Sequence, residues 1–509
     1  MIKTAKKILI VGIGNIGFSI IKQLNNITNN IEIIAIDKRF PSYLEEYLSK
    51  TNENHKITFI KADVTDESGV QDIIASDKLN DINVLISTVG FLSHSNDFDE
   101  FRKEFNTNFF GNVIPIKALI NKIPKKSNNR IIIISSTSGN KAPGTVNSYA
   151  PSKFALESFA STLQQELMKE GIFVDVIRPT NILNECSDVF KFNKGISAEL
   201  VGMKIIKLIQ LSLKDSSVSG KKFFVPYYFF GVRILERVFP NILNYIFGLN
   251  SRLNRRKTYK KYCNNKVLIT GGSSGLGLEL ARIYAKHSLE VIITGRNEKK
   301  LEEAKNELNK ISNCRIITKQ IDFTSIPDLN KFINEIENVD LLINNAGQHL
   351  VKSVQEMNIN EYIEIFDANF FSPVLLTNNL IFNSKTHKVI NILSTTAICG
   401  RKNHSAYSSS KSALWAYTRS IRRQKGNTIQ FLEVIPSTFK SSLFRNSDSI
   451  RNETTHNSDI NLLESKEVAL RIVEAERSGK DILFIPFKAR LFLLLESLLY
   501  PIFKKLFLK

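Results

Sequence analysis

Tyr149 and Lys153 stand four residues apart in the stretch YAPSK, and Tyr407 and Lys411 do so again in YSSSK, 258 positions further on. Residues four apart share a helix face, so each ammonium can sit beside its phenol. A nearby cation favours the phenolate, and a phenol with a lowered pKa can pass a proton near neutral pH. The spacing alone is common on solvated helices. What surrounds each copy decides whether it does chemistry.

The surroundings repeat. Each half opens with a basic residue, an apolar run and a glycine turn, KKILIVGIGNIG and NKVLITGGSSGLG. Second strands follow in IEIIAID and LEVIITGR, and third strands ending in an acid in ITFIKAD and RIITKQID. Fourth strands follow in INVLISTVG and VDLLINNAG, then NFFGNV and NFFSPV, then the two Tyr/Lys helices. A period of about 260 residues is far too long for a solenoid and reads as tandem duplication of a whole domain. Within each half, apolar strands alternate with helix-length segments, the pattern of βαβ units and a parallel sheet covered on both faces. The expected fold is therefore α/β, two tandem doubly wound Rossmann-type domains. The first covers residues 1–250, a basic linker 251–265, and the second 266–509 with an amphipathic tail at 487–509. Each domain would end in an apolar, basic helical extension.

The glycine turns are shaped for phosphate. Gly12, Gly14 and Gly17, with Asn15 and Ile16 between them, follow the first strand. Gly271, Gly275 and Gly277, with Ser273, Ser274 and Leu276, do so in the second half. Glycines at a strand-to-helix turn let backbone N–H groups approach a pyrophosphate at a helix N-terminus. The halves then diverge. Asp37 ends the second strand of the first half, where a carboxylate can accept from a ribose 2′-hydroxyl and repel a 2′-phosphate. Gly295 fills that place in the second half and Arg296 follows, which suits a 2′-phosphate. NAD(H) is expected in the first half and NADP(H) in the second, although Lys38 and Arg39 directly follow Asp37.

With these residues in view, both halves resemble the short-chain dehydrogenase/reductase family. TGGSSGLG is similar to the family's glycine turn, and NNAG, which contains Asn345 and Gly347, to its fourth-strand motif. Ser394 precedes Tyr407 by thirteen residues, the family spacing. The resemblance implies that Tyr407 is the general acid in ketone reduction and the base in alcohol oxidation. It implies that Ser394 hydrogen-bonds the substrate oxygen, that Lys411 lowers the tyrosine pKa and holds the nicotinamide ribose, and that Asn369 anchors a water relay. Asp322, and Asp63 in the first half, would lie near the adenine. In the first half Asn108, Ser136, Tyr149 and Lys153 occupy the same places. Departures are the shorter turn, STVG ending at Gly90 in place of NNAG, and RPT where the family has Pro-Gly. The implied activity is interconversion of a ketone or aldehyde with an alcohol. Two alternatives stay open: a catalytic second half on a first-half scaffold, or a sensor that binds NAD(P) without turnover. The family pairs through its Asn and Tyr/Lys helices, so the halves are expected to form an intramolecular pseudo-dimer, with further homo-oligomers allowed.

The formal net charge of +20 is unevenly placed. Residues 221–262 hold ten Lys or Arg against one Glu, and residues 487–509 five against one. Both stretches are rich in Phe, Leu, Ile and Tyr. Basic residues among apolar ones suit an anionic membrane surface better than nucleic acid, so no nucleic-acid partner is expected. Charges interrupt both runs, which fall short of the roughly 20 apolar residues that a span needs. Membrane docking would favour a lipophilic substrate (steroid-, retinoid-, sphingoid- or acyl-like). Four scattered cysteines and seven scattered histidines argue against a disulfide framework and assign no metal. The amino terminus runs straight into a strand without a signal-peptide pattern. The expected location is cytoplasmic, with peripheral attachment to the cytoplasmic face of a membrane.

Overall fold

The computed structural model describes residues 6–27, 30–50, 55–74, 77–93, 97–125, 128–139, 148–180, 182, 196–213, 222–225, 266–336, 338–383, 386–425, 428–440 and 462–486. The linker, most of both apolar basic extensions and the polar stretch 441–461 lie outside them.

In the first half, strands β1 (Lys6–Val11), β2 (Ile31–Asp37), β3 (Lys56–Lys61), β4 (Ile82–Ser87), β5 (Asn129–Ile134), β6 (Ile172–Pro179) and β7 (Lys222–Val225) form one sheet. Its order is β3-β2-β1-β4-β5-β6-β7, and every pairing is parallel. In the second half, β8 (Lys266–Ile269), β9 (Glu290–Gly295), β10 (Arg315–Gln320), β11 (Leu341–Asn344), β12 (Lys388–Ile392), β13 (Gln430–Pro436) and β14 (Ile482–Ile485) repeat it in the order β10-β9-β8-β11-β12-β13-β14. The reversal of direction between β1 and β4, and between β8 and β11, opens a crevice at the carboxyl ends of the strands. The central strands are apolar without alternation because helices cover both faces: Ile8, Leu9, Ile10 and Val11 are all fully buried.

The first half's helices are α1 (Asn15–Leu24), α2 (Ser42–Lys50), α3 (Glu67–Ile74), α4 (Phe98–Asn108), α5 (Phe110–Leu119), α6 (Tyr149–Leu167) and α7 (Ala198–Leu213). The second half's are α8 (Gly275–Ala285), α9 (Glu298–Ile311), α10 (Ile326–Glu335), α11 (Ile359–Phe366), α12 (Ser372–Asn383), α13 (Ser405–Lys425) and α14 (Ser465–Arg477). Asn369 sits in a π-helical turn, Asp367–Phe371, between α11 and α12. Asn108 likewise ends α4 just before the break at Phe109. A widened turn releases backbone groups from the regular ladder and often marks a functional position.

One hydrophobic cluster runs across both halves, and each half keeps a second cluster of its own. Phe105 lies 4.7 Å from Phe370, and Phe109 4.7 Å from Phe366, ring centroid to ring centroid. The tyrosine helices α6 and α13 pack together: Ser412 Oγ donates to the Phe154 carbonyl at 3.2 Å, and Phe154 meets Trp415 edge-on. Arg102 pairs with Asp367 at 2.7 Å across the same seam. Burial pushes the Asp367 carboxyl up to about 6 despite that arginine. Within the one chain, α4 packs on the π-helical turn, α5 on α11 and α6 on α13. Among the described residues no helix is long and apolar enough to cross a membrane.

Candidate active site

Each crevice begins at its glycine turn. In the first half, Gly12 has φ +89°, and a Cβ there would sit 3.0 Å from Thr88 Oγ1. A Cβ on Gly17 would come within 2.2 Å of the Gly12 carbonyl oxygen. Only glycine lets helix and turn approach so closely. Around Gly14, by contrast, a Cβ would meet nothing within 4 Å, so the open side of the cradle lies at the start of α1, where unpaired N–H groups favour an anion. Asn15 and Ile16 open that helix. In the second half Gly277 repeats the approach to Gly271, Ser274 precedes α8 in extended conformation, and Gly275 and Leu276 begin that helix. Both cradles fit a dinucleotide.

Asn345 anchors the glycine turn from the neighbouring strand. Its Nδ2 donates to the Thr270 and Gly271 carbonyls at 2.9 and 3.2 Å, tying the glycine turn to the end of β11. Thr88 performs that task in the first half, its hydroxyl donating to the Gly12 carbonyl. Sequence reading missed Thr88, because STVG departs from NNAG at this residue.

Asp37 Oδ2 accepts from Ile13 N at 2.6 Å, and Oδ1 from Arg39 N at 3.3 Å, so the carboxylate is held over the turn. In the second half a Cβ on Gly295 would sit 2.8 Å from Ser273 Oγ, which places that hydroxyl beside the exposed Arg296. A hydroxyl and a guanidinium replace a carboxylate at the same corner. Asp63 and Asp322 are alike: each accepts from the N–H and hydroxyl of a threonine two residues on, at 2.7–2.9 Å. At Asp63 burial raises the pKa, but the Thr65 bonds and Lys38 outweigh it, and the net shift is downward.

The residues expected to handle the proton converge deeper in the crevice. In the second half, Asn369 Oδ1 accepts from Gln348 N at 2.7 Å, and its Nδ2 donates to the Gln348 carbonyl at 2.9 Å and to Ser410 Oγ at 3.1 Å. A Cβ on Gly347 would meet Asn369 Oδ1 at 2.8 Å and Lys411 Nζ at 3.5 Å. Lys411 Nζ donates to the Ile392 carbonyl at 2.9 Å and lies 6.0 Å from the Tyr407 ring centroid. Ser394, at the end of β12, hydrogen-bonds the Tyr407 phenol. The expectation of a lowered tyrosine pKa needs correction here. Burial pushes Tyr407 up to about 12 against the opposing Ser394 bond, and burial takes Lys411 down to about 8. Desolvation of the phenolate outweighs an ammonium this far away. Tyr407 is therefore held as the neutral phenol.

The first half assembles its own set. Asn108 Oδ1 accepts from Phe91 N at 2.8 Å, and a Cβ on Gly90 would meet Asn108 Oδ1 at 2.8 Å and Lys153 Nζ at 3.1 Å. Lys153 lies 5.6 Å from the Tyr149 ring and donates to the Ile134 carbonyl at 3.4 Å. Ser136 Oγ accepts from Ser138 N at 3.1 Å. One buried acid has no counterpart: Glu104 stands where the register of Asn108 against Asn369 places Ile365. It accepts from Ser93 N at 3.1 Å, and burial raises it to about 8, Ser93 and Lys153 opposing.

Two histidines that look unrelated in sequence meet beside Tyr407. His349 Nε2 lies 2.8 Å from His404 Nδ1, and the His349 ring meets the Tyr407 ring edge-on at 4.6 Å. Burial, with Arg401 nearby, lowers His349 to about 4; burial, His349 and Arg401 lower His404 to about 3. Both are neutral at physiological pH. The available signal was the position of His349, two residues past NNAG.

The short chain dehydrogenase family model matches residues 6–191 and again residues 265–452. A Dictyostelium discoideum protein named dehydrogenase/reductase SDR family protein 7-like is 29% identical over 238 residues, covering 44% of this chain and 75% of its own length. Bacillus subtilis DltE, an uncharacterized oxidoreductase, is 32% identical over 189 residues, covering 35% of this chain and 72% of its own. Among solved structures, an N-terminal ketoreductase from the macrolactin assembly line superposes with a TM-score of 0.62 at 14% identity. That alignment covers 95% of this chain and 87% of the other, and it establishes the fold of both halves together. The chain is an oxidoreductase that belongs to the short-chain dehydrogenase family and carries that family's unit twice.

Proposed function

We propose that the second half reduces a ketone or aldehyde, or oxidises the corresponding alcohol, with NADP(H). The observation that carries this reading is the convergence of Asn369, Ser394, Tyr407 and Lys411 at the mouth of a glycine cradle with Arg296 at its far corner. The bound nicotinamide supplies or accepts the hydride. This chain's residues do the rest. Tyr407 donates its phenolic proton to the substrate oxygen, and Ser394 holds that oxygen and the phenol in one line. The ammonium of Lys411 supports the phenolate left behind, a charge that burial otherwise penalises. Asn369 fixes the backbone at Gln348 and the hydroxyl of Ser410, and through them the floor on which Lys411 rests.

The first half, with Asn108, Ser136, Tyr149 and Lys153 retained and Asp37 over its turn, is proposed as an NAD(H) site. Glu104 beside Lys153 favours a second reading of this half, in which it binds nucleotide within a pseudo-dimer and turns nothing over. The apolar, basic segments at 221–262 and 487–509 support a lipophilic substrate and docking on a membrane surface. Replacing Tyr407 by Phe in the full chain is expected to lower carbonyl-dependent NADPH oxidation by roughly 10²–10⁴-fold while NADPH still binds. Unchanged turnover would place the chemistry elsewhere, and the matching Tyr149→Phe variant with NADH separates the two readings of the first half.

A further inference from the structure

The loop that presents Tyr407 is held by the other half of the chain. Residues Gly400–Asn403 lie just before α13, and the tyrosine helix of the first half runs beneath them. Gln165 Oε1 accepts from Lys402 N at 3.1 Å, Gln165 Nε2 donates to the Gly400 carbonyl, and Thr162 Oγ1 donates to the Arg401 carbonyl at 3.3 Å. A Cβ on Gly400 would come within 2.5 Å of the Ser158 carbonyl oxygen and 2.7 Å of Thr162 Oγ1, so the loop is shaped to this helix.

Glu166 goes further, because it grips two loops at once. Its Oε1 accepts from Asn403 N at 3.1 Å and its Oε2 from Val354 N at 2.8 Å. Val354 belongs to the loop that leaves β11, and the two loops also pair directly, Lys352 N donating to the Asn403 carbonyl at 3.0 Å. One residue beyond Asn403 is His404, and five before Val354 is His349, the pair in which His349 packs edge-on against Tyr407. A single carboxylate from the first half thus closes a frame: Val354 and His349 on one side, Asn403 and His404 on the other, Tyr407 at the open end.

We propose that Glu166 is a positioning residue for the second half's active site, tying the two loops whose histidines orient Tyr407. This rests on the reading of Tyr407 as proton donor, and it makes the second site incomplete without the first half. The arrangement is one-sided. The 258-residue offset that relates Tyr149 to Tyr407 relates Glu166 to Gln424, which has no carboxylate to offer two amides. The first half therefore serves the second in a way that the second cannot return with the same chemistry.

The test uses the full chain with Glu166→Gln and Glu166→Asp, NADPH, and benzil as a carbonyl probe. In Glu166→Gln the new NH2 opposes one of the two N–H groups. Hydrogen exchange of peptides spanning residues 350–357 and 400–405 is expected to quicken at least ~10-fold while the strands keep their protection. The kcat is expected to fall ~10-fold with NADPH affinity within ~2-fold, since misplacement costs the proton-transfer geometry and leaves the cradle intact. Glu166→Asp keeps the charge but is shorter by a methylene, and it should fall between. Unchanged exchange in both loops overturns the proposal, as does loosened exchange with full kcat, or protection lost throughout the chain. Tyr407→Phe tells the two ideas apart: if it turns over benzil as the natural chain does, the proton-donor reading fails, while the exchange arm still decides whether Glu166 holds the loops.

Discussion

Replacing Lys411 by Met is expected to stabilise the cofactor-free protein while abolishing its chemistry. The Lys411 ammonium is buried, and desolvation lowers its pKa from 10.5 to about 8. At ~1.4 kcal/mol per pH unit, that difference corresponds to roughly 3 kcal/mol of strain on the folded state. Methionine removes it but also leaves the Ile392 carbonyl without its donor, a loss of about 1 kcal/mol. A net gain of ~2 kcal/mol remains, or several degrees in Tm for a domain of this size. The sign with pH is fixed. Below pH 8 the lysine is charged in folded and unfolded chains alike, and the folded state bears the full cost. Between about 8 and 10.5 the unfolded chain holds the extra proton, so the natural protein gains stability as pH rises and the variant's advantage shrinks. Urea unfolding of both proteins without cofactor, at pH 7 and pH 10.5, measures it. A variant less stable at pH 7, or an advantage independent of pH, would refute the reasoning. Active sites commonly hold groups that the fold would be steadier without.

Two further outcomes are expected. Ser394→Ala should lower kcat by roughly 10²–10³-fold with little change in NADPH affinity, read by steady-state kinetics, because it removes a bond to the substrate oxygen and not to the cradle. At the seam between halves, Arg102→Met should destabilise more than Asp367→Asn in urea unfolding at pH 7. The first leaves a carboxylate buried without its cation, whereas the second leaves an arginine that can reach water.

The parallel sheets were legible because β1, β4, β8 and β11 each carry at least three consecutive buried apolar residues, and the duplication repeated every signal. The tetrads were legible because each member is fixed to a strand end or a helix by short-range spacing, as Ser394 is to Tyr407. What stayed hidden depends on distance or burial. His349 and His404 are 55 residues apart, and Glu166 reaches Val354 across 188, so no local pattern records either contact. The direction of the Tyr407 shift was misread for a related reason. Sequence places a lysine one turn away but says nothing of how thoroughly the phenol is withdrawn from water. Thr88 escaped notice because a different residue type does the work of Asn345.

Equilibrium titration tests the proposed pair of nucleotide sites, of opposite preference in one chain, without any substrate. NADH and NADPH are added separately, and binding is followed by calorimetry and by energy transfer from Trp415, the chain's one tryptophan, which lies on the helix that carries Tyr407. The expected result is one site for each cofactor: NADPH binding weakened at least ~10-fold by Arg296→Ala, and NADH binding weakened similarly by Asp37→Ala. A single NADPH site that Arg296→Ala removes, with no NADH site, would contradict the claim for the first half. Two sites of the same preference, unmoved by either substitution, would contradict the assignment of both corners.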